Sequence, residues 1–184
     1  MRFALALSLV AALTAAGCGG APEAPQSTTP AQATGPTGEL GTSSVGEVRI
    51  GMEMDEVEAA FGRPDSEEEV SFGGPGSEAP QIDWVWDLSG GEFVLQFQTS
   101  DDTVTGYRSF SADLATADGF TVGTPLSEVE QRYGDELREG LIGSGTLLLS
   151  EGKPGTYPGI TFAANSPKGP IVAIEGGELQ PAGD

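Results

Sequence analysis

The chain has 184 residues and a formal charge of −20, from 28 acidic and 8 basic residues, with no histidine and one cysteine. A negative field of this size repels nucleic acid and anionic lipid headgroups, so we expect no nucleic-acid partner. It leaves open a basic partner, bound cations or a solvated surface, and the spread of the acidic residues along the chain favours the solvated surface.

The N-terminus has the pattern of an exported lipoprotein. Arg2 precedes an apolar run from Phe3 to Leu13, which is too short to cross a hydrocarbon core of roughly 30 Å. The residues Ala15-Ala16-Gly17-Cys18 that follow resemble a lipobox, with Ala15 in place of the usual leucine. We therefore predict a signal peptide over residues 1–17 and lipid on Cys18, which anchors the mature chain to a bacterial membrane, facing outside the cytoplasm.

Lipid on Cys18 leaves no thiol for a disulfide, a thiolate metal site or a cysteine nucleophile. Residues 18–45 are rich in Pro, Thr, Ser, Gly, Ala and Gln, and Leu40 is almost their only large apolar residue. Such a composition cannot bury enough apolar area to offset its ordering entropy. It predicts an unstructured tether over residues 18–45 that holds the folded part away from the bilayer.

Residues 46–177 contain an internal repeat. The segment from Val48 to Gly62 aligns without a gap with the segment from Phe120 to Gly134, and both have the same glycine, Glu-Val-Glu and final glycine. Each copy predicts a glycine turn and then a short amphipathic helix whose narrow apolar stripe faces a sheet. The stripes are Met54, Val57 and Phe61 in the first copy and Leu126, Val129 and Tyr133 in the second.

Strand-like runs follow each predicted helix, and turn residues separate them. The runs are 81–87, 92–99 and 103–111 after the first helix, and 145–150, 159–163 and 170–175 after the second. We expect the acidic run Glu67-Glu68-Glu69 in or beside a loop. The predicted fold class is α+β. It consists of two tandem units over residues 46–117 and 118–177, each a short helix followed by a three-stranded antiparallel meander, with residues 178–184 as a tail.

Several motifs resemble the BamE (SmpA/OmlA) family of outer-membrane lipoproteins. They are Arg49-Ile50-Gly51-Met52, Glu56-Val57, Phe61-Gly62-Arg63-Pro64, Trp84-Val85-Trp86, the strand from Phe93 to Phe97, and Asp102-Thr103-Val104 leading to Tyr107. Glu53 stands where the family has threonine. The resemblance implies a lipidated cysteine followed by a helix and three strands. The tandem arrangement is also similar to β-lactamase inhibitor protein, in which two repeats form a concave sheet that grips a protein partner, although this chain lacks the disulfides of that inhibitor. Uncharacterised duplicated lipoproteins of high-GC bacteria are similar too.

Signatures of enzymes are mostly absent from the sequence. There is no histidine base, no GxSxG, no phosphate-binding glycine loop and no EF-hand calcium loop. Ser150 and Lys153 match S-x-x-K, but the S-D-N and K-T-G elements that accompany it are missing. Carboxylate pairs such as Asp55 with Glu58 or Asp101 with Asp102 are expected by chance in so acidic a chain. We therefore predict no enzyme activity, no cofactor and no metal site.

The aromatic pair Trp84 and Trp86 alternates along one predicted strand and so lies on one face of it. The pair could form a binding platform, but aromatic side chains at strand spacing are more often core, packed under the helix stripe. A partner surface is then expected on the sheet face away from the helices, with Val85, Val94, Gln96 and Gln98 as its candidates. These features favour a non-catalytic protein-binding module in the cell envelope, with assembly, sensing or inhibition as its role. A small-ligand or cation binder, or a weak hydrolase, remains the alternative.

Overall fold

The protein is an α+β fold with two sheets and two helices in the residues that the structure describes. The structure is a computed structural model, and it describes residues 35–72, 79–139, 146–150 and 158–177. The signal peptide, Cys18 and the predicted tail over residues 178–184 lie outside these ranges. In the part that is described, neither helix has the length and apolar character needed to span a bilayer.

The two helices and twelve strands are numbered in chain order. The small sheet contains β1 (Glu39–Leu40), β2 (Ser44–Val45), β3 (Val48–Arg49) and β8 (Ala115–Thr116). The helices are α1 (Met54–Phe61) and α2 (Leu126–Tyr133), and a 3-10 turn (Gly134–Glu136) follows α2. The large sheet contains β4 (Ser66–Phe72), β5 (Ala79–Leu88), β6 (Gly91–Gln98), β7 (Thr103–Ser109), β9 (Leu137–Glu139), β10 (Thr146–Ser150), β11 (Gly159–Ala164) and β12 (Ile171–Gly177). Its order is β4-β5-β6-β7-β12-β11-β10-β9, and every neighbouring pair is antiparallel.

Each helix is followed by four strands of the large sheet, so the prediction of three-stranded meanders is wrong. The missed strands, β4 and β9, are the two outer strands of the sheet. Strand β4 includes Glu67-Glu68-Glu69, which the sequence placed in or beside a loop, and these side chains are exposed. An edge strand pairs on one side only, so its backbone can join the sheet while its acidic side chains remain exposed and discourage pairing with another chain.

The two halves of the large sheet make matching backbone contacts. In each half, the glycine turn ahead of the helix makes two hydrogen bonds to the last strand. The donor and acceptor pairs are Gly51 N to Val104 O at 2.7 Å, Val104 N to Met52 O at 2.9 Å, Gly123 N to Ile171 O at 2.8 Å and Ile171 N to Thr124 O at 2.8 Å. Each half also has one register shift between its last two strands, at Gln96/Phe97 and at Ala163/Ala164.

Residues 35–45 contain two strands, so the predicted unstructured tether is wrong for these residues. Strand β1 pairs with β2 and, in parallel, with β8, which connects the two halves. Leu40 and Val45 are only 2% and 1% exposed. These two buried apolar side chains stabilise the short hairpin. The Pro, Ser and Gly content of the segment had instead predicted an unstructured chain. Residues 18–34 of the predicted tether lie outside the described residues.

The main core lies between the large sheet and the helices. The Phe61 ring of α1 packs edge-on against Trp86 and Phe93, with ring centroids 6.0 and 6.4 Å apart. Trp84 and Trp86 are buried, which confirms their interpretation as core. The Tyr107 hydroxyl donates a 2.8 Å hydrogen bond to the Gly41 carbonyl, and this bond ties the central strand β7 to the small sheet. The helices and the small sheet therefore contact the same face of the large sheet.

Candidate binding surface on the sheet

The opposite face of the large sheet, here called the open face, has a set of side chains of its own. Strand alternation and register assign it Val94, Leu148 and Ala173, which are 8%, 6% and 4% exposed. None of the three belongs to the hydrophobic core cluster. The open face thus combines apolar residues that the helices do not cover with the polar residues described below.

The predicted candidates Val85, Val94, Gln96 and Gln98 all lie on the open face, on the adjacent strands β5 and β6. Val85 pairs directly with Val94, and Gln96 pairs with Asp83. Gln98 is exposed and donates from its amide to the Ser100 hydroxyl at 2.7 Å. The structure therefore brings the four together on one surface, while their binding role stays a prediction.

Register extends the central row of the open face across the junction of the two halves. From Val94 the row continues through Arg108, Glu175, Thr161 and Leu148. The sequence did not indicate these residues as candidates, because its candidates came only from β5 and β6. The pairing of β7 with β12 joins residues far apart in sequence, and no local pattern signals it.

An ion pair between Arg108 and Glu175 crosses this junction. The Arg108 Nε and Glu175 Oε1 atoms are 2.6 Å apart, and the side chains are 32% and 11% exposed. Arg108 on β7 and Glu175 on β12 lie the same number of residues after the register shift of their own half. The two residues therefore hold equivalent positions in the two halves. Identical charges at these positions would face and repel each other across the junction. Unlike charges instead join the two halves.

Asp83 is the least satisfied polar group of the open face. It is 8% exposed, and its Oδ1 has no hydrogen-bond partner among the described residues. Burial raises the pKa of its carboxyl most, and Glu68 on β4 raises it further, whereas Arg108 on β7 and a hydrogen bond from Gln96 on β6 lower it. The sequence places Asp83 on this face by alternation, but its burial depends on neighbours from three other strands.

This raised pKa makes stability depend on pH. Because the folded state holds the Asp83 proton to higher pH than the unfolded chain does, stability should fall as pH rises above about 4 and through the folded pKa. At neutral pH, Asp83→Asn should therefore raise the free energy of unfolding by about 1–3 kcal/mol, because asparagine has no charge to lose water on burial. Urea unfolding from pH 4 to 8 measures this. Asp87→Asn, exposed on the same strand and face, is the control, and equal pH slopes for wild type and Asp83→Asn would contradict the assignment.

The carboxylate pairs noted in the sequence have separate local partners. Asp55 accepts a hydrogen bond from the Glu56 amide at 2.9 Å, and Glu58 pairs with Arg63 at 2.8 Å. Asp101 accepts from the Thr103 hydroxyl at 2.8 Å. Within the described ranges, no group of three or more acidic, histidine or cysteine residues could hold a metal ion. Lys153 of the S-x-x-K match lies outside those ranges.

Comparisons with known proteins show a likeness to a solved structure. A scan against protein-family models found no match, and no curated protein matches either. A crystal structure of the uncharacterized protein yfeY from Escherichia coli is similar, with a TM-score of 0.49 and 12% sequence identity. The similarity covers 76% of this chain and 99% of that one. None of these comparisons places the chain in the BamE family.

Proposed function

We propose that this protein is a bacterial lipoprotein, anchored through Cys18 outside the cytoplasm, that binds a protein partner through the open face without catalysing a reaction. The observation that carries the proposal is the composition of that face. Val94, Leu148 and Ala173 are buried but separate from the core cluster. Val94 lies on β6 near Asp83 and Gln96, whereas Ala173 and Leu148 lie on β12 and β10 in the other half of the same face. An apolar centre with interspersed polar groups is typical of protein interfaces.

The described part of the chain begins on the helix side of the large sheet. Gly35 N donates a 3.0 Å hydrogen bond to the Phe61 carbonyl at the end of α1, which lies on the helix side of the large sheet. The described chain therefore begins on the side of the large sheet opposite to the open face.

The two halves of the large sheet are proposed to be tandem copies of one BamE-like unit. The repeated turn-and-helix sequence, the matching hydrogen bonds to Val104 and Ile171, and the matching register shifts support this. Each copy then comprises a helix and four strands rather than three. Joined through β7 and β12, the copies form one continuous sheet, the architecture that the resemblance to β-lactamase inhibitor protein implies for protein binding.

Charge indicates the chemistry of the partner. The exposed acidic residues of the open face include Glu68, Asp87 and Glu92, whereas Arg108 is already paired with Glu175. Arg138 adds an exposed positive charge at the far edge, on β9. Because the excess charge at the β4–β6 side is negative, the proposed partner presents a basic surface there.

Photo-crosslinking in intact cells tests the binding role. A photoreactive phenylalanine analogue is placed at Gln98 or Glu92 on the open face and, as matched controls, at Glu128 or Ala59 on the exposed sides of the helices. We expect one defined protein adduct from the open-face positions and little from the helix positions. Adducts that are equal in amount and identity from both sides would contradict the proposal.

A further inference from the structure

Asp83 supplies a buried hydrogen-bond acceptor without a donor. Its Oδ1 is unpartnered among the described residues, although the residue is only 8% exposed. A buried carboxylate oxygen in this state costs stability, and a donor from outside the chain would remove that cost. The position is thus suited to a ligand group that donates hydrogen bonds and reaches Oδ1 as the atoms covering it move aside.

The surroundings of Asp83 contain further acceptors and charges of both signs. Gln96 hydrogen-bonds to the Asp83 carboxyl, and Glu68 lies directly opposite Asp83 on β4. Gly106 faces Gln96 on β7, so no side chain covers the Gln96 amide oxygen from that strand, and a Cβ there would lie 3.5 Å from it. The neighbouring cation Arg108 is paired with Glu175, and its charge also lowers the pKa of the Asp83 carboxyl. A cationic group with several donors fits such a site.

An apolar surface adjoins these acceptors. Val85 and Val94 pair with each other one step further along β5 and β6, on the same face as Asp83 and Gln96. A long side chain with an aliphatic stem and a charged head can therefore cover the valines and reach the acceptors. Arginine matches best, because its guanidinium has five donors in a planar fork.

We propose that Asp83 and Gln96 form a socket for an arginine side chain of the partner protein, with Val85 and Val94 as its apolar wall. This inference rests on the proposed protein-binding function and specifies the chemistry of the partner. The guanidinium donates to Asp83 Oδ1 and to the Gln96 amide oxygen, and it is attracted by Glu68.

The test uses two capped pentapeptides, Gly-Gly-X-Gly-Gly, in which X is arginine or its uncharged isostere citrulline. NMR titration of the full chain without its leader measures each affinity. We expect arginine to bind about tenfold or more tightly than citrulline, as charge-assisted hydrogen bonds require. Asp83→Asn should abolish this preference. Asp87→Asn removes the same charge from the same strand and face, so it controls for general attraction to an acidic surface and should keep the preference.

The outcomes separate the socket from the proposed function. Equal affinity for the two peptides in the wild type, or an unchanged preference in Asp83→Asn, would overturn the socket. If the open-face crosslinks nevertheless form, protein binding stands and only the arginine site is wrong. If the arginine preference depends on Asp83 but no adduct forms from Gln98, the socket stands and the proposed protein-binding function fails.

Discussion

Replacing Phe93 by alanine is expected to lower the free energy of unfolding by about 3–5 kcal/mol. Phe93 is 0% exposed and lies among the rings of Phe61, Trp86 and Tyr107, with centroids 6.4, 6.0 and 6.1 Å away. Its loss removes a large buried surface and leaves a cavity that the rigid rings around it cannot close. Because domains are stable by only about 5–15 kcal/mol, urea unfolding followed by circular dichroism should show a greatly lowered midpoint.

Phe110 provides a matched control for this substitution. It is 39% exposed and follows directly after β7, so Phe110→Ala should change the free energy of unfolding by no more than about 0.5 kcal/mol. Comparable losses for the two variants would show that Phe93 is not at the centre of the core. Such a result would also put the helix face and the open face of the sheet in doubt.

The largest effect on cellular location is expected from Cys18→Ser. Two or three acyl chains on Cys18 would contribute about 0.8 kcal/mol per buried methylene, enough for lasting anchorage, and serine cannot carry the thioether-linked lipid. The variant should move from the membrane fraction to the soluble fraction and lose metabolic labelling with a fatty-acid analogue. Its thermal unfolding should match that of the chain without its leader, because Cys18 is outside the described helices and strands.

Ser27→Ala, in the segment between Cys18 and Gly35, serves as the control for handling the N-terminus. It should keep both the label and the membrane location. If Cys18→Ser remained in the membrane fraction to the same extent as Ser27→Ala, lipid on Cys18 would not be the anchor. Ala15 departs from the usual leucine of a lipobox, which makes this comparison informative.

The sequence predicted the elements with strong periodicity. Both helices follow stripes such as Leu126, Val129 and Tyr133, and the predicted runs over 92–99 and 159–163 correspond to β6 and β11. The predictions from sequence fail where contacts with residues distant in the chain decide the structure. Strand β4 depends on pairing with β5 despite its run of glutamates, and β1 and β2 depend on burying Leu40 and Val45.

The sequence predicted which face of the sheet carries the candidate site, but not all of the residues that belong to it. Alternation along β5 and β6 was enough to place Val85, Val94, Gln96 and Gln98 together. It could not show that Asp83 loses its solvent, because Asp83 is surrounded by residues from β4, β6 and β7. Nor could it show the Arg108–Glu175 pair, which exists only because the two halves meet at β7 and β12.

The central claim is that the open face of a lipid-anchored protein binds a protein partner. The measurement that tests it most directly is the yield of protein adduct from a photoreactive residue at Gln98 compared with one at Glu128, each in the Cys18-bearing chain in intact cells. We predict a defined adduct from Gln98, absent from Glu128 and weakened by Val94→Glu in a folded variant. Equal yields from the two positions, or an adduct from Glu128 alone, would contradict the claim.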